Sequence, residues 1–227
     1  SKFYNENHQY VALWVTNNDS RPFVLSTPRL PDENVLHLPI PFNSSLIDVL
    51  AKMKRTPREF DEIQSLFDLD EDQKKLFNSF FTEDEPAPYE KYTGDKIRMR
   101  YFGHACILVE TQDISILIDP LISYYGYPTE VNHFSDYDLP EKIDYVLISH
   151  NHQDHILLET LLPLRHKIEN IIVPRSGGGA IQDPKLKLMF KYAGFKNVIE
   201  IDEMETLNIN DCLITGLPFT GEHSDLD

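Results

Sequence analysis

Hydrophobic and polar positions follow different patterns in successive parts of the chain. Residues 1–42 contain short apolar runs, notably at 10–15 and 23–25, between prolines, which predicts strands and turns. In residues 43–82, apolar side chains recur every three or four positions, which predicts three short helices. Residues 83–96 are polar and contain prolines, so we interpret them as a linker.

The three predicted helices carry their own start signals. Residues 43–45 (Asn-Ser-Ser) can cap the first helix. Residues 56–59 (Thr-Pro-Arg-Glu) form a capping-box pattern with proline at the first helical position. The acidic residues 70–72 begin the third helix. Three such helices fit a winged-helix or carrier-recognition module, or a structural domain that packs on the rest; we favour the structural domain because helix count alone is weak evidence.

Beyond the linker, strand-like runs come first and then alternate with helical patterns. Strands are predicted at residues 97–102, 106–110, 114–118, 143–148, 171–174, 198–201 and 212–216. Strand hairpins followed by strand–helix–strand units predict an α/β fold with a mixed sheet and helices on its faces. The sequence therefore predicts an accessory domain over residues 1–92 and an α/β domain over residues 97–227.

Composition and charge exclude several classes of protein. The chain has 227 residues, of which 41% are hydrophobic and 26% charged, as in soluble globular proteins. No apolar run is long enough to span a membrane, and the start lacks a signal-peptide core. The formal net charge of −16 opposes binding to nucleic acid. Cys106 and Cys212 lie in apolar runs, so we expect buried, reduced thiols and a cytoplasmic protein.

A dense cluster of metal-ligating residue types follows the predicted strand 143–148. His150, His152, Asp154 and His155 lie within six residues. In an extended segment alternate side chains point the same way, so His150 and His152 can reach one metal ion. Once the chain turns into the next helix, Asp154 and His155 can reach a second ion. Imidazole and carboxylate suit Zn, Fe or Mn, and this spacing after a strand favours a metal site over a polar turn.

Four further residues are candidates for the same site. Asp119 ends an apolar strand, and a buried acid there needs partners, so we interpret it as orienting the ligating histidines rather than as an ordinary turn residue. His104 lies in a tight turn and either lines the site or is a structural histidine. Glu222 and His223 follow the last predicted strand and both can bind metal, although a solvated loop is the plain alternative for each.

The motif from His150 to His155 is identified as the HxHxDH signature of the metallo-β-lactamase superfamily, and residues 118–120 (Ile-Asp-Pro) resemble its first motif. The resemblance covers residues 97–227. It implies an αββα sandwich with a dinuclear metal site at the sheet edge. The first two histidines of the motif would bind one metal ion, and its aspartate and last histidine the other.

The superfamily pattern also requires a further metal-bridging aspartate and a last histidine, both beyond Asp227. We therefore expect residues 97–227 to contain only the N-terminal half of the sandwich. On this expectation the chain alone cannot complete a dinuclear site, and it would not be active or well folded by itself.

A narrower resemblance points to the diiron β-hydroxylases of nonribosomal peptide biosynthesis, of the chloramphenicol-pathway type. These antibiotic-biosynthesis enzymes carry a separate N-terminal domain and use a glutamate where most of the superfamily uses a histidine. Glu222 lies where that carboxylate is expected. The resemblance implies two iron ions, O₂, an amino acid tethered to a carrier protein as substrate, and Asp154 and Glu222 as catalytic ligands; a homodimer is compatible with it.

The alternative reading is a zinc hydrolase of the same superfamily, with His223 as its third histidine. Zinc has no redox chemistry and instead supplies a metal-bound hydroxide. Such an enzyme would attack an ester, an amide or a phosphodiester. A metal-free binding scaffold is disfavoured, because the ligand set is intact as far as the chain runs.

Overall fold

Two paired strands and three helices form the N-terminal part of the chain. The computed structural model describes residues 5–15, 21, 27–86, 88–123, 132–177, 184–209 and 212–218. A short 3-10 helix (Glu6–His8) precedes β1 (Val11–Trp14), β2 (Val35–Leu38), α1 (Ser45–Lys52), α2 (Phe60–Gln64) and α3 (Glu71–Asn78). β1 and β2 pair antiparallel. The strand predicted at 10–15 is confirmed as β1, whereas the candidate at 23–25 lies outside the described residues.

The start signals of α1 and α3 are confirmed. The Ser44 hydroxyl accepts a hydrogen bond from the Leu46 N–H at 3.2 Å, which satisfies one of the free donors at the start of α1. Asp70 and Gln73 form a reciprocal capping box at α3, with distances of 2.9 and 3.0 Å.

The capping box expected at residues 56–59 is wrong. Helix α2 begins later, at Phe60, and its first flanking residue, Glu59, makes no side-chain cap hydrogen bond. The Thr56 N–H instead donates to the Lys52 carbonyl at 2.9 Å. Thr56 therefore closes the last turn after α1 and is not free to start the next helix.

A six-stranded mixed sheet follows. Its strands, in spatial as well as chain order, are β3 (Arg98–Gly103), β4 (Cys106–Glu110), β5 (Ser115–Ile118), β6 (Ile143–Leu147), β7 (Ile168–Pro174) and β8 (Val198–Ile201). The first three strands pair antiparallel and the last four parallel, with β5 common to both sets. The predicted α/β class with a mixed sheet is therefore confirmed.

Two of the connections between parallel strands contain helices, the usual form of the crossover that such strands need. Helix α4 (Leu158–Leu164) connects β6 to β7, with a 3-10 turn at Arg165–Lys167, and α5 (Leu186–Tyr192) connects β7 to β8. A further 3-10 helix spans Asp136–Asp138 before β6. The last described elements are β9 (Thr206–Ile209) and β10 (Cys212–Thr215), an antiparallel pair. None of the helices in the described ranges has the length and apolar character that crossing a membrane requires.

One continuous hydrophobic core joins the N-terminal helices to the central sheet. Ile63 and Phe77 from the helices are fully buried in the same cluster as Leu108, Leu117 and Val146 from the sheet. Burying each such side chain contributes about 1.5–3 kcal/mol. The N-terminal part therefore shares one hydrophobic core with the sheet rather than standing apart from it.

The two cysteines differ in burial. Cys106 is fully buried, and burial raises the pKa of its thiol to about 12, so it is inert packing. Cys212 is only partly buried, because β10 pairs with β9 outside the central sheet. The expectation of two buried thiols therefore holds for Cys106 alone.

A buried arginine at the end of α4 links the N-terminal part to the rest of the chain. Its guanidinium donates to the Asp48 carboxylate of α1 at 3.0 Å, to the Ser44 carbonyl at 2.6 Å and to the Ala193 carbonyl at 2.5 Å, and it also reaches the Phe42 carbonyl. This residue is Arg165, whose side chain is 5% exposed. We call these contacts the Arg165 clamp.

Gly194 makes room for the clamp. Its φ of +86° suits glycine, and a Cβ at this position would lie 2.8 Å from Nη1 of Arg165. A second ion pair across the same boundary joins Arg21 to Glu159 of α4 at 2.5 Å. Helix α4 is therefore held by the N-terminal part along its length.

Replacing Arg165 by Met should destabilise the fold by about 3 kcal/mol, because the change leaves a carboxylate and several carbonyls without their donor. Urea unfolding followed by circular dichroism measures the loss. The matched control is Arg58→Met, which removes an exposed pair with Glu62 and should cost only about 0.5 kcal/mol. An equal decrease in the free energy of unfolding for the two variants would contradict the larger contribution to stability that we assign to the Arg165 clamp.

Candidate metal centre

The candidate centre lies where two neighbouring parallel strands end. β5 pairs with β6 so that Ile118 lies opposite Leu147, and ligands in α/β sheets bind at such carboxyl ends. Asp119 follows β5, and the motif from His150 to His155 follows β6. The N–H groups of His155 and Ile156 both donate to the His152 carbonyl at 3.0 Å. This tight turn redirects the chain, so both halves of the motif face one region.

Asp119 is the buried centre of the hydrogen-bond network. Its carboxylate, on a residue that is 3% exposed, accepts from the Ser149 N–H at 2.7 Å, the Ser149 hydroxyl at 2.6 Å and Nδ1 of His155 at 2.9 Å. Its backbone has a φ of +41°, a conformation that few residues other than glycine adopt and that tends to be kept at functional sites. The surrounding hydrogen bonds hold this strained residue in place.

This network fixes which ring nitrogen carries the proton in two of the motif histidines. Because Nδ1–H of His155 donates to the carboxylate, its Nε2 carries the lone pair. The Ser149 hydroxyl gives its only proton to Asp119, so at 2.9 Å it accepts from Nδ1–H of His150. His150 therefore also presents an unprotonated Nε2. Both rings are therefore in the tautomer that binds a metal ion through Nε2.

The three motif histidines form a compact group. The ring of His150 lies 4.5 Å from that of His152 and 4.0 Å from that of His155, measured between centroids. Burial, followed by the neighbouring His155 and His152, lowers the pKa of His150 below its ordinary value. A lowered pKa keeps this imidazole neutral at pH 7, which is the form that binds metal.

Asp154 faces two of the histidines. Its Oδ2 lies 3.6 Å from Nε2 of His155 and 2.8 Å from Nε2 of His104. Burial raises the pKa of Asp154, but its own backbone N–H, His155 and His104 together outweigh burial, so the pKa is lowered. One ligand atom from each of Asp154, His155 and His104 lies within 4.8 Å of the others.

This donor set fits a metal ion. Two ligands that each lie about 2.1 Å from one ion at a tetrahedral angle are about 3.4 Å apart, close to the 3.6 Å between Asp154 Oδ2 and His155 Nε2. Neutral imidazoles and an ionised carboxylate suit Fe, Zn or Mn. No rearrangement of the backbone is needed to bring these two ligands to one ion.

The structure brings six of the eight candidate residues to one place; they are His104, Asp119, His150, His152, Asp154 and His155. The other two, Glu222 and His223, lie outside the described residues. Ser149 belongs to the network but is absent from the candidates that the sequence suggested. The available signal was its position, since it lies between the predicted strand 143–148 and the first histidine of the motif.

Two protein-family models match the chain. The one described as "Beta-lactamase superfamily domain" matches residues 98–224, which is more than half of the chain. The one described as "Diiron non-heme beta-hydroxylase N-terminal domain" matches residues 1–86.

One curated relative matches the chain over both of these regions. The 4-amino-L-phenylalanyl-[CmlP-peptidyl-carrier-protein] 3-hydroxylase of Streptomyces venezuelae is 38% identical over 235 residues, covering 100% of this chain and 43% of the relative. The crystal structure of CmlA, a diiron beta-hydroxylase from Streptomyces venezuelae, is 39% identical with a TM-score of 0.85, over 99% of this chain and 42% of that chain. This chain thus spans less than half the length of these relatives.

Other relatives match a smaller part of the chain. A UPF0173 protein of Pyrococcus abyssi is 32% identical over 127 residues, which is 56% of this chain and 50% of the relative. A UPF0173 metal-dependent hydrolase of Desulforamulus reducens is 35% identical over 60 residues, which is 26% of this chain and 23% of the relative.

Replacing Asp119 by Asn should weaken metal binding by about 10- to 100-fold. Asparagine tolerates the same positive φ. Its NH₂ group, however, is a donor that would face the donors of Ser149 or His155, and the change leaves Nδ1–H of His155 without an anionic acceptor. The ring then loses its fixed tautomer. Metal content after equilibrium dialysis measures the affinity, and ¹⁵N spectra of the ring nitrogens report the tautomer.

Asp113→Asn is the matched control, because this exposed acid lies in the turn between β4 and β5. It should leave both readouts unchanged. Wild-type affinity in the Asp119→Asn variant would contradict the orienting role of the carboxylate.

Proposed function

This chain belongs to the metallo-β-lactamase superfamily, and from that premise we propose that it forms part of a diiron oxygenase that hydroxylates an amino acid tethered to a carrier protein. Both resemblances seen in the sequence, to the superfamily and to its diiron β-hydroxylases, are confirmed by the family matches and by the CmlA relatives.

One observation carries the proposal, namely the match of residues 1–86 to the N-terminal domain of diiron β-hydroxylases. The metal motif alone is common to oxygenases and hydrolases, so it does not separate them. An N-terminal domain of the hydroxylase type in front of a lactamase-like domain favours the oxygenase over the hydrolase. The relative that carries both regions is named as acting on a carrier-bound amino acid, which supports the same substrate class here.

The residues of this chain perform the binding and orienting steps. We assign His150 and His152 to one ion and Asp154 and His155 to the other. The Asp119 carboxylate and the Ser149 hydroxyl hold the Nδ1–H groups of His155 and His150, so that both Nε2 atoms stay available. Two bound iron ions supply the redox chemistry that activates O₂ for attack on an unactivated carbon.

Glu222 is assigned as a further metal ligand and, with Asp154, as a catalytic carboxylate. A carboxylate adds hard oxygen ligation and negative charge, which stabilises iron in its higher oxidation state better than an imidazole does. His223 is the competing ligand at this place in the chain. The carrier protein, O₂ as the second substrate and a cytoplasmic location belong to the same proposal.

A zinc hydrolase is the second candidate. It is favoured by relatives named as metal-dependent hydrolases, although these match as little as 26% of this chain. In that case a zinc-bound hydroxide would attack an ester, amide or phosphodiester.

The metal content and the oxygen use of the whole purified protein, of which this chain is proposed to form part, should distinguish the two functions. We expect about two iron ions per chain by mass spectrometry, visible absorption from Fe(III), and oxygen uptake that depends on an aminoacyl carrier protein. The product should gain one oxygen atom. Two tightly held zinc ions, with hydrolysis and no oxygen uptake, would reject the oxygenase in favour of the hydrolase.

Separate Glu222→Ala and His223→Ala variants should differ in their iron content. The first should lose about one of two iron ions per chain, because it removes a proposed ligand, and the second should keep both. Metal analysis after chelator challenge measures the difference. Metal loss in His223→Ala alone would remove the basis for the carboxylate assignment and favour the hydrolase arrangement.

A further inference from the structure

His104 occupies a backbone position that favours glycine. It is the first residue of the two-residue loop, His104-Ala105, that joins β3 to β4. Its φ is +49°, whereas Ala105 is not among the residues with positive φ. A positive φ of this size lies in the left-handed region, which residues other than glycine adopt only uncommonly. Local structure alone therefore disfavours a histidine here.

The preceding residue directs the loop toward the metal motif. Gly103 has a φ of +109°, and the register of β3 against β4 shifts between Tyr101 and Gly103. A shift of this kind re-aims the side chains beyond it. The result places the ring of His104 edge-on to that of His155, with centroids 5.1 Å apart.

Core packing does not explain the histidine either. The His104 side chain is 43% exposed, so its burial contributes little to stability. Its Nε2 lies 2.8 Å from Oδ2 of Asp154, 50 residues further along the chain. That oxygen is the one that faces Nε2 of His155 at 3.6 Å. The strained turn therefore brings a donor to the proposed ligand atom of Asp154.

We propose that His104 is a positioning residue that orients the Asp154 carboxylate for metal binding through the hydrogen bond from its Nε2–H to Oδ2. A carboxylate oxygen has two lone pairs, so Oδ2 can accept this bond and still bind an ion. Without the bond, Asp154, which is one-third exposed, is free to turn toward solvent. The inference rests on the proposed metal site, but not on whether the bound metal is iron or zinc.

Asp119 is a second case of the same arrangement. Among the described residues, the non-glycine positions with positive φ are His104, Asp119 and Met204. The first two each hydrogen bond a different residue of the HxHxDH motif. Met204 has a φ of +58°, is 69% exposed and lies in the turn between β8 and β9. It therefore provides a control with similar backbone strain outside the site.

The test compares His104→Gly, His104→Gln and Met204→Gly in the whole purified, metal-free protein, of which this chain is proposed to form part. Each variant is titrated with Co²⁺, and the visible absorption of the bound ion reports affinity and geometry at each of two sites. Thermal unfolding is measured in parallel. Asp154→Asn identifies which of the two binding steps belongs to the Asp154 site.

His104→Gly should weaken the Asp154 step by about 10- to 100-fold and leave the other step unchanged. Its unfolding temperature should stay the same or rise by about 2–4 °C, because glycine relieves the strained φ. His104→Gln should recover most of the affinity and the wild-type spectrum, since its amide N–H can replace the imidazole donor. Met204→Gly should change the unfolding temperature as His104→Gly does, but it should leave Co²⁺ binding unchanged.

Three results would overturn the inference. Wild-type affinity in His104→Gly would show that the hydrogen bond does not orient Asp154. A lost binding step that His104→Gln fails to restore would show that His104 is itself a ligand. A large fall in unfolding temperature would assign His104 a structural role. Failure of the proposed site is distinguishable, because the wild-type protein itself would then bind fewer than two Co²⁺ ions.

Discussion

The candidate site depends on the Asp119 carboxylate and its three donors. An ionised carboxylate that is almost wholly buried is costly unless hydrogen bonds replace its water. Here the Ser149 N–H, the Ser149 hydroxyl and His155 Nδ1–H replace it. The same bonds fix the end of β5 against the end of β6 and select the tautomer of both neighbouring histidines. The Asp119 carboxylate thus both stabilises this edge of the sheet and prepares the motif histidines for metal binding.

Sequence reasoning found what is local and missed what is long-range. His150, His152, Asp154 and His155 are recognisable because their spacing is confined to six residues after an apolar strand. The contact between His104 and Asp154 crosses 50 residues, so the sequence left a ligand-lining and a structural role open for His104. Strands β2 and β9 were not predicted either, because a polar residue, His37 or Asn208, interrupts each short apolar run. Each strand is stabilised by pairing with its neighbour rather than by its own pattern.

Arg165 illustrates the same limit for the fold. In the sequence it is one charged residue at the end of a short helical pattern, and such residues are usually on the surface. In the structure its guanidinium is surrounded by α1, by the residues that precede α1 and by the end of α5. All three lie far from Arg165 in the sequence. The capping box at residues 56–59 failed for a related reason, since the turn that ends α1 already uses the Thr56 N–H.

Helix α4 connects the clamp to the metal motif. It begins at Leu158, three residues after His155, and ends next to Arg165, so its seven residues span roughly 10 Å. The N-terminal part fixes the far end of this helix through Asp48, Ser44 and Phe42, while Asp119 fixes the near end through His155. A helix held at both ends cannot shift without breaking buried hydrogen bonds. The N-terminal part therefore contributes to the rigidity of the candidate site through helix α4.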